Sequence, residues 1–337
     1  MHFSFYPYQL KFRFPFVIAH GTRTHTEVVY VKVEYQGLTG WGEAALPPYL
    51  NETQETVLMF LNRYASAVTD MSLDEATAFT QQTAEKNYPA MAALDMALWD
   101  IKLLQNGTSI HVGSSEILNK PLNTYTIGVC NAKEMNLKVD EALANGFKLF
   151  KLKLNGIDDE RMVNDFRLIT SLPFAVDANQ SWADVSVAKE KAHWLKENGC
   201  IFIEQPFAQE ELDKSAVLTQ ENILPVYADE SCQTISDLGN LKDAFSGINI
   251  KLMKCGGITP ALEMITKARQ LNLKILLGCM SESTVGCRAA AHLAPLVDYT
   301  DLDGPFLISN DCFIGLKMEN GSVKTDKLQQ RNNLRAS

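Results

Sequence analysis

Three carboxylates each close a short apolar run: Asp177 in FAVDANQ, Glu204 in IFIEQP and Asp229 in VYADES, about one strand-plus-helix unit apart. Lysines hold the equivalent place in the flanking units, Lys151 and Lys153 in LFKLKLNG and Lys251 in INIKLMKCGG. One functional group per βα repeat is the pattern of a parallel barrel, whose catalytic side chains come from the C-terminal ends of successive strands. Three oxygen ligands suit a hard divalent cation, magnesium first and manganese as the alternative. Lysines on either side of that cation could carry a proton on and off a carbon acid. One strand-end acid alone is as often a helix cap, but that reading does not explain three in register between lysines. Lys254, three residues past Lys251, reads as a loop charge. Gly256-Gly257 has no GxGxxG or Walker sequence around it, which argues against a nucleotide site.

The elements that must position these groups follow from periodicity. Residues 1 to about 45 read as antiparallel sheet: Val29, Val31, Val33 and Tyr35 alternate with Tyr30, Lys32 and Glu34, and Gly37, Gly40 and Gly42 supply turns. Helices are expected over 52–68, 74–86 and 89–105. In the last, Met91, Leu94, Leu98 and Ile101 form one stripe that Gly107 ends. Strands followed by helices without alternation indicate an α+β module. From about 122 the rhythm becomes strand–helix–strand, with strands expected at 124–129, 149–154, 174–177, 201–204, 226–229, 248–252 and 274–278 and a short one before Asp301. Helices are expected between them at 158–171, 184–198, 236–245 and 259–271. Eight strands at near-constant spacing suffice to close a barrel.

Length and composition agree with an enzyme of this kind. The 337 residues allow a barrel plus one smaller domain. Net charge is −9 with no long basic run, which argues against a nucleic-acid surface. No apolar run approaches the roughly 20 residues of a membrane span. The first residues, MHFSFYPYQLKFRF, alternate like a strand and lack the apolar segment of a signal peptide. Seven scattered cysteines without a CxxC pair suggest reduced thiols in a cytoplasm.

Taken in order, GLTGWGEA (37–44), AALDMALWDI (92–101), KLK, DANQ, EQP, ADES and KCGG resemble the enolase superfamily, in its muconate-lactonizing-type branch. The resemblance implies an α/β fold, a modified (β/α)8 TIM-like barrel of (β/α)7β form with an α+β capping domain. The expected domains are 1–115 for the cap, completed by about 311–337, and 116–310 for the barrel. It also implies that Asp177, Glu204 and Asp229 hold Mg²⁺, which stabilises an enediolate when a substrate α-proton leaves. Lys153 and Lys251 would be the bases on opposite faces. Lys151 would lower the proton affinity of Lys153, and Glu230 would pair with Lys251.

Asp301 and Asp303 in YTDLDGP, two residues apart, would project to one side if extended. They resemble the Asp-x-Asp with which dipeptide epimerases hold a substrate ammonium. The AHGTRTHT loop (19–26) would cover the mouth, with Arg23 clamping a side-chain carboxylate and His20 and His25 as lid residues. Thr126 and Cys279 would line the pocket. The expected activity is an isomerase inverting Cα of the second residue, Glu, in L-Ala-D/L-Glu-type dipeptides. The setting implied is the recovery of peptidoglycan peptides in the cytoplasm, by a monomer or a homo-oligomer. An o-succinylbenzoate synthase or muconate cycloisomerase would keep the lysine pair but offer no ammonium to the acid pair. A Schiff-base aldolase would leave three acids unexplained, and a non-catalytic metal-binding protein would not need the full constellation.

Overall fold

The computed structural model describes residues 1–18, 21–107, 120–331 and 334. Its first three strands, β1 (His2–Ile18), β2 (Gly21–Tyr35) and β3 (Leu38–Leu46), form an antiparallel meander. Alternation drives the pairing, since Val29, Val31 and Val33 face one buried side, toward α1 (Gln54–Val68), α2 (Leu73–Gln82) and α3 (Tyr88–Asn106). Reciprocal bonds between Thr53 and Thr56 cap α1, and Ser72 with Glu75 does the same for α2. Only Gly37 is a turn residue (φ +80°). Gly40 and Gly42, expected in turns, lie within β3 against α3, where added Cβ atoms would come within 2.1 Å of the Ala97 carbonyl oxygen and 1.8 Å of that of Ala93. The glycines permit a close strand–helix approach.

The second unit is an eight-stranded parallel sheet with crossover helices: β4 (Thr124–Ile127), α4 (Ala132–Ala144), β5 (Leu149–Lys153), α5 (Asp159–Ile169), β6 (Phe174–Asp177), α6 (Val185–Glu197), β7 (Cys200–Glu204) and α7 (Leu212–Gln220) come first. They are followed by β8 (Val226–Ala228), α8 (Leu238–Leu241), β9 (Gly247–Lys251), α9 (Leu252–Cys255), α10 (Ile258–Gln270), β10 (Lys274–Gly278), α11 (Thr284–Ala291) and β11 (Tyr299–Asp301). Strand order follows chain order, and a bridge between Asn123 and Thr300 joins β11 to β4, so the sheet closes on itself. This is the (β/α)7β barrel with an α+β cap. The helix expected over 236–245 shrinks to the single turn α8, because Asp237 spends its carboxylate on the amides of Gln233 and Thr234 before the helix starts.

After β11 come a short α12 (Gly304–Leu307) and the hairpin β12 (Phe313–Glu319) with β13 (Ser322–Gln330). Phe313 packs on Tyr30 and Trp41 of the first sheet, at ring distances of 5.2 and 4.9 Å. The long β1–β2 hairpin reaches the barrel rim, where the Val129 amide donates to the Val17 carbonyl (3.0 Å) and Arg13 Nε to that of Ile308 (3.0 Å). His20 and the expected 115/116 boundary lie outside the described residues. Among the described residues no helix is long and apolar enough to cross a membrane.

Candidate active site

Asp177 ends β6, Glu204 ends β7 and Asp229 directly follows β8, so the three project from adjacent strands at the same end of the barrel. One oxygen of each lies within 4.8 Å of the others, and all three residues are buried. Buried carboxylates without a cation between them repel. Burial, then the neighbouring Asp177, push the Glu204 carboxyl up to about 7. A set of oxygens alone, with no sulfur or imidazole, fits a hard divalent cation such as magnesium.

The lysines complete the constellation. Lys153 Nζ donates to Asp177 Oδ2 at 2.5 Å and Lys251 Nζ to Asp229 Oδ2 at 2.6 Å. Their strands, β5 and β9, stand four places apart in a closed ring of eight, so the two amines face each other across the barrel. Burial alone would lower the pKa of Lys251, but Asp229 more than offsets it and the net shift is upward. Lys151, two residues before Lys153 and on the same side of β5, contacts Glu204 Oε2 (3.2 Å), Asp177 Oδ2 (3.8 Å) and Asp301. Against the desolvation of its ammonium, these acids hold its pKa well above the ordinary value.

Two expectations are corrected. Lys254 is not a loop charge but a buried one, donating to Asp229 Oδ1 (2.7 Å), the Asp229 carbonyl (2.7 Å) and the Asn249 carbonyl (3.0 Å). With Lys251 it overrides the burial of Asp229 and holds that carboxyl well below the usual range. The turn of α9 brings it back under the strand end, which spacing alone did not reveal. Glu230 does not pair with Lys251, which is taken by Asp229. Instead its Oε1 accepts from Asn179 Nδ2 at 3.4 Å, and its buried Oε2 has no partner.

Three further side chains went unread in the sequence. Asn249, two residues before Lys251 and so on its side of β9, donates to Glu204 Oε1 at 2.7 Å. Gln205 follows Glu204 with φ +36°, and its Oε1 accepts from the amides of Asp229 (2.9 Å) and Ser231 (3.2 Å). Tyr49, from the cap, lines the cavity and donates to Met280 Sδ at 2.5 Å. The period-two match of Asn249 to Lys251 was a usable signal for the first, and the EQP motif for the second; nothing local marked Tyr49.

Opposite the carboxylate triad, four strands from β7, stands β11 with Asp301 at its end. Asp303 is not extended (φ −97°, ψ −3°), yet both carboxyls turn into the cavity. Asp301 is bonded by Thr124 Oγ1 and Lys151, and Asp303 Oδ2 accepts the Thr126 amide at 2.5 Å. Burial, then Asp301, push the Asp303 carboxyl up to about 7. The cavity measures about 730 Å³ and is lined by the lysines, Asp229, Glu230, Asp301, Asp303, Thr126 and Cys279 below, and by Phe12, Phe16, Arg23, Tyr49 and Leu50 of the cap above. Arg23 donates through Nη2 to Ser281 Oγ at 3.3 Å and lies 5.7 Å from the centre of the Phe12 ring, while its buried Nη1 has no partner. His25 is exposed beside Glu27, outside the cavity lining. All seven cysteines are free and buried.

Residues 5–112 match the family model described as mandelate racemase/muconate lactonizing enzyme, N-terminal domain, and residues 134–324 the one described as enolase C-terminal domain-like. The chain is 42% identical over 332 residues to the L-Ala-D/L-Glu epimerase of Bacteroides thetaiotaomicron, covering 97% of this chain and 86% of that protein. Its fold is similar to the substrate-liganded L-Ala-D/L-Glu epimerase from Bacillus subtilis (TM-score 0.87, 25% identity, 98% and 97% of the two chains). It is equally similar to a dipeptide epimerase from Methylococcus capsulatus complexed with Mg and L-Arg-D-Lys (TM-score 0.87, 29% identity, 97% of each chain).

Proposed function

The chain belongs to the mandelate racemase/muconate lactonizing enzyme family of the enolase superfamily, and from that premise we infer a magnesium-dependent dipeptide epimerase that inverts Cα of the second residue of L-Ala-D/L-Glu-type dipeptides. The observation that carries the reading is the crossing of two axes in the barrel. One runs from the triad around β7 to Asp301 on β11; the other runs from Lys153 on β5 to Lys251 on β9. A dipeptide laid along the first axis, its α-carboxylate toward the triad and its ammonium toward Asp301 and Asp303, presents its second Cα between the lysines.

Asp177, Glu204 and Asp229 would hold the cation, which when bound supplies Lewis-acid stabilisation of the charge that builds on the substrate carboxylate as the α-proton leaves. Lys153 takes the proton from one face and Lys251 returns one to the other, or the reverse for the opposite epimer. Lys151 ties the two ends of the site together by bridging Glu204 and Asp301. Asp301, Asp303 and Thr126 position the ammonium end. Arg23, with a buried unpartnered Nη1, faces the side chain and favours a carboxylate there. Cys279 contributes to the wall, and Glu230 with Asn179 shapes the rim above Asp229.

We read residues 1–115, completed by about 311–337, as the cap and 116–310 as the barrel. The free thiols suit a cytoplasmic protein, and the recovery of peptidoglycan peptides is the setting we assign. The test is incubation with L-Ala-L-Glu and L-Ala-L-Gln in D₂O with Mg²⁺. Deuterium should enter the Glu α-carbon, both epimers should accumulate, and the uncharged analogue should react more slowly. No label in any member of a wider dipeptide panel would refute the reading, and chelator-resistant activity would refute the cation site.

A further inference from the structure

Two buried acids outside the proton-transfer machinery meet where the cap touches the barrel. Glu43, on β3, is fully buried and sends its carboxylate across the seam. Its Oε1 accepts the Ser283 amide (2.9 Å), and its Oε2 accepts from Ser283 Oγ (2.5 Å) and the Gly286 amide (3.0 Å). All three donors belong to the start of α11, so a residue of one domain caps a helix of the other. Glu282 folds back on its own turn, with Oε1 accepting the Met280 amide (2.7 Å) while its amide donates to the Met280 carbonyl (3.0 Å). Glycines pack this turn from both sides. A Cβ on Gly286 would come within 2.3 Å of Glu282 Oε2, and one on Gly304 within 2.3 Å of the Glu282 carbonyl oxygen. Gly304 directly follows Asp303, and the Cys279 amide donates to the Asp301 carbonyl (3.1 Å). The turn thus carries Cys279, Met280 and Ser281 into the cavity on one side and backs the Asp301–Asp303 segment on the other.

We propose that Glu43 is a positioning residue for the substrate: with Glu282 it sets the 279–283 turn, and through it both the pocket wall facing Arg23 and the seat of the ammonium-binding acids. The inference deepens the epimerase reading and rests on it. Burial, with Glu282 beside it, pushes the Glu43 carboxyl up to about 8, and burial pushes Glu282 up to about 7, so the pair keeps a proton at neutral pH and does not force the turn apart. The metal ligands and both bases stand on β5 to β9; the turn follows β10, whose Gly278 pairs with Lys251, but among the described residues no hydrogen bond ties a side chain of the turn to a base or to the triad. Its disturbance therefore weakens substrate holding and leaves the chemical step intact.

The experiment compares steady-state kinetics with L-Ala-L-Glu and thermal unfolding for the full chain and four variants. Glu43→Ala should raise KM about tenfold or more with kcat within about threefold. Ser283→Ala should move KM the same way by less, and it decides the matter if Glu43→Ala does not fold. Glu43→Gln, which keeps an acceptor for the Oε2 donors, should restore KM toward the parent. Asp95→Ala cuts a different cap–barrel link, the carboxylate that accepts from the Thr259 amide (2.9 Å) and hydroxyl (2.6 Å). It should lower Tm without moving KM. A Glu43→Ala enzyme with a lowered Tm and unchanged KM would reduce the contact to plain stability, and a loss confined to kcat would equally overturn the proposal. Absence of exchange in the parent enzyme is a separate outcome, visible before any variant is made; it sinks the epimerase reading and this inference with it.

Discussion

Lys153 and Lys251 differ in what they touch, and that difference makes their roles separable. Each rests on its own triad acid, Asp177 or Asp229, from opposite sides of the barrel. Replacing either with Met should lower epimerisation by about 10²–10⁴-fold, the usual worth of a positioned base. Each variant should still wash deuterium into one epimer with retention, the two variants acting on opposite epimers; NMR of the recovered dipeptide shows which. A single variant exchanging both would break the two-base assignment. Asn249 acts through Glu204, so Asn249→Ala should weaken Mg²⁺ about 10–100-fold, measured as the half-saturating concentration for activity. The acids and lysines at strand ends were legible in the sequence because residue type, spacing and apolar context agree. Lys254 and Glu230 were misread for one reason: each lies just beyond a strand, where the turn decides which way a long side chain folds back.

At the scale of elements, periodicity placed all eight barrel strands, since buried parallel strands read as short apolar runs between helical stretches. The errors fell where a residue type has two structural uses. Gly40 and Gly42 looked like turn formers, yet they are the flat face of β3 on which the backbone of α3 lies. No rearrangement of a flexible side chain can relieve a Cβ set 1.8 Å from a helix carbonyl oxygen. Gly42→Ala should therefore cost about 1–3 kcal/mol or more, read from urea unfolding. A fully stable variant would mean that strand and helix are not in this contact.

For the molecule as a whole, the seam between cap and barrel holds acids that burial has pushed upward: Glu43 to about 8, Glu282 to about 7 and Asp95 to about 6. Each binds its proton more tightly folded than unfolded. Their contribution is full below the ordinary carboxylate range and is lost as pH rises through these values. Tm should fall from about pH 4 to about pH 8 and level off above, and Glu43→Gln, which has nothing to ionise there, should flatten the slope. A slope identical in both proteins would remove Glu43 from the account. This seam was invisible in the sequence, because Glu43 and Ser283 lie 240 residues apart and meet only where the cap packs on the barrel. The order of groups around the barrel wall has a last implication. From β5 to β9 it runs lysine, aspartate, glutamate, aspartate, lysine, a series that reads the same in either direction. If the site works as proposed, a chain built wholly of L-residues would thereby surround the reacting carbon with something close to a mirror plane. That is what an asymmetric polymer needs if left- and right-handed forms of one substrate are to be handled alike.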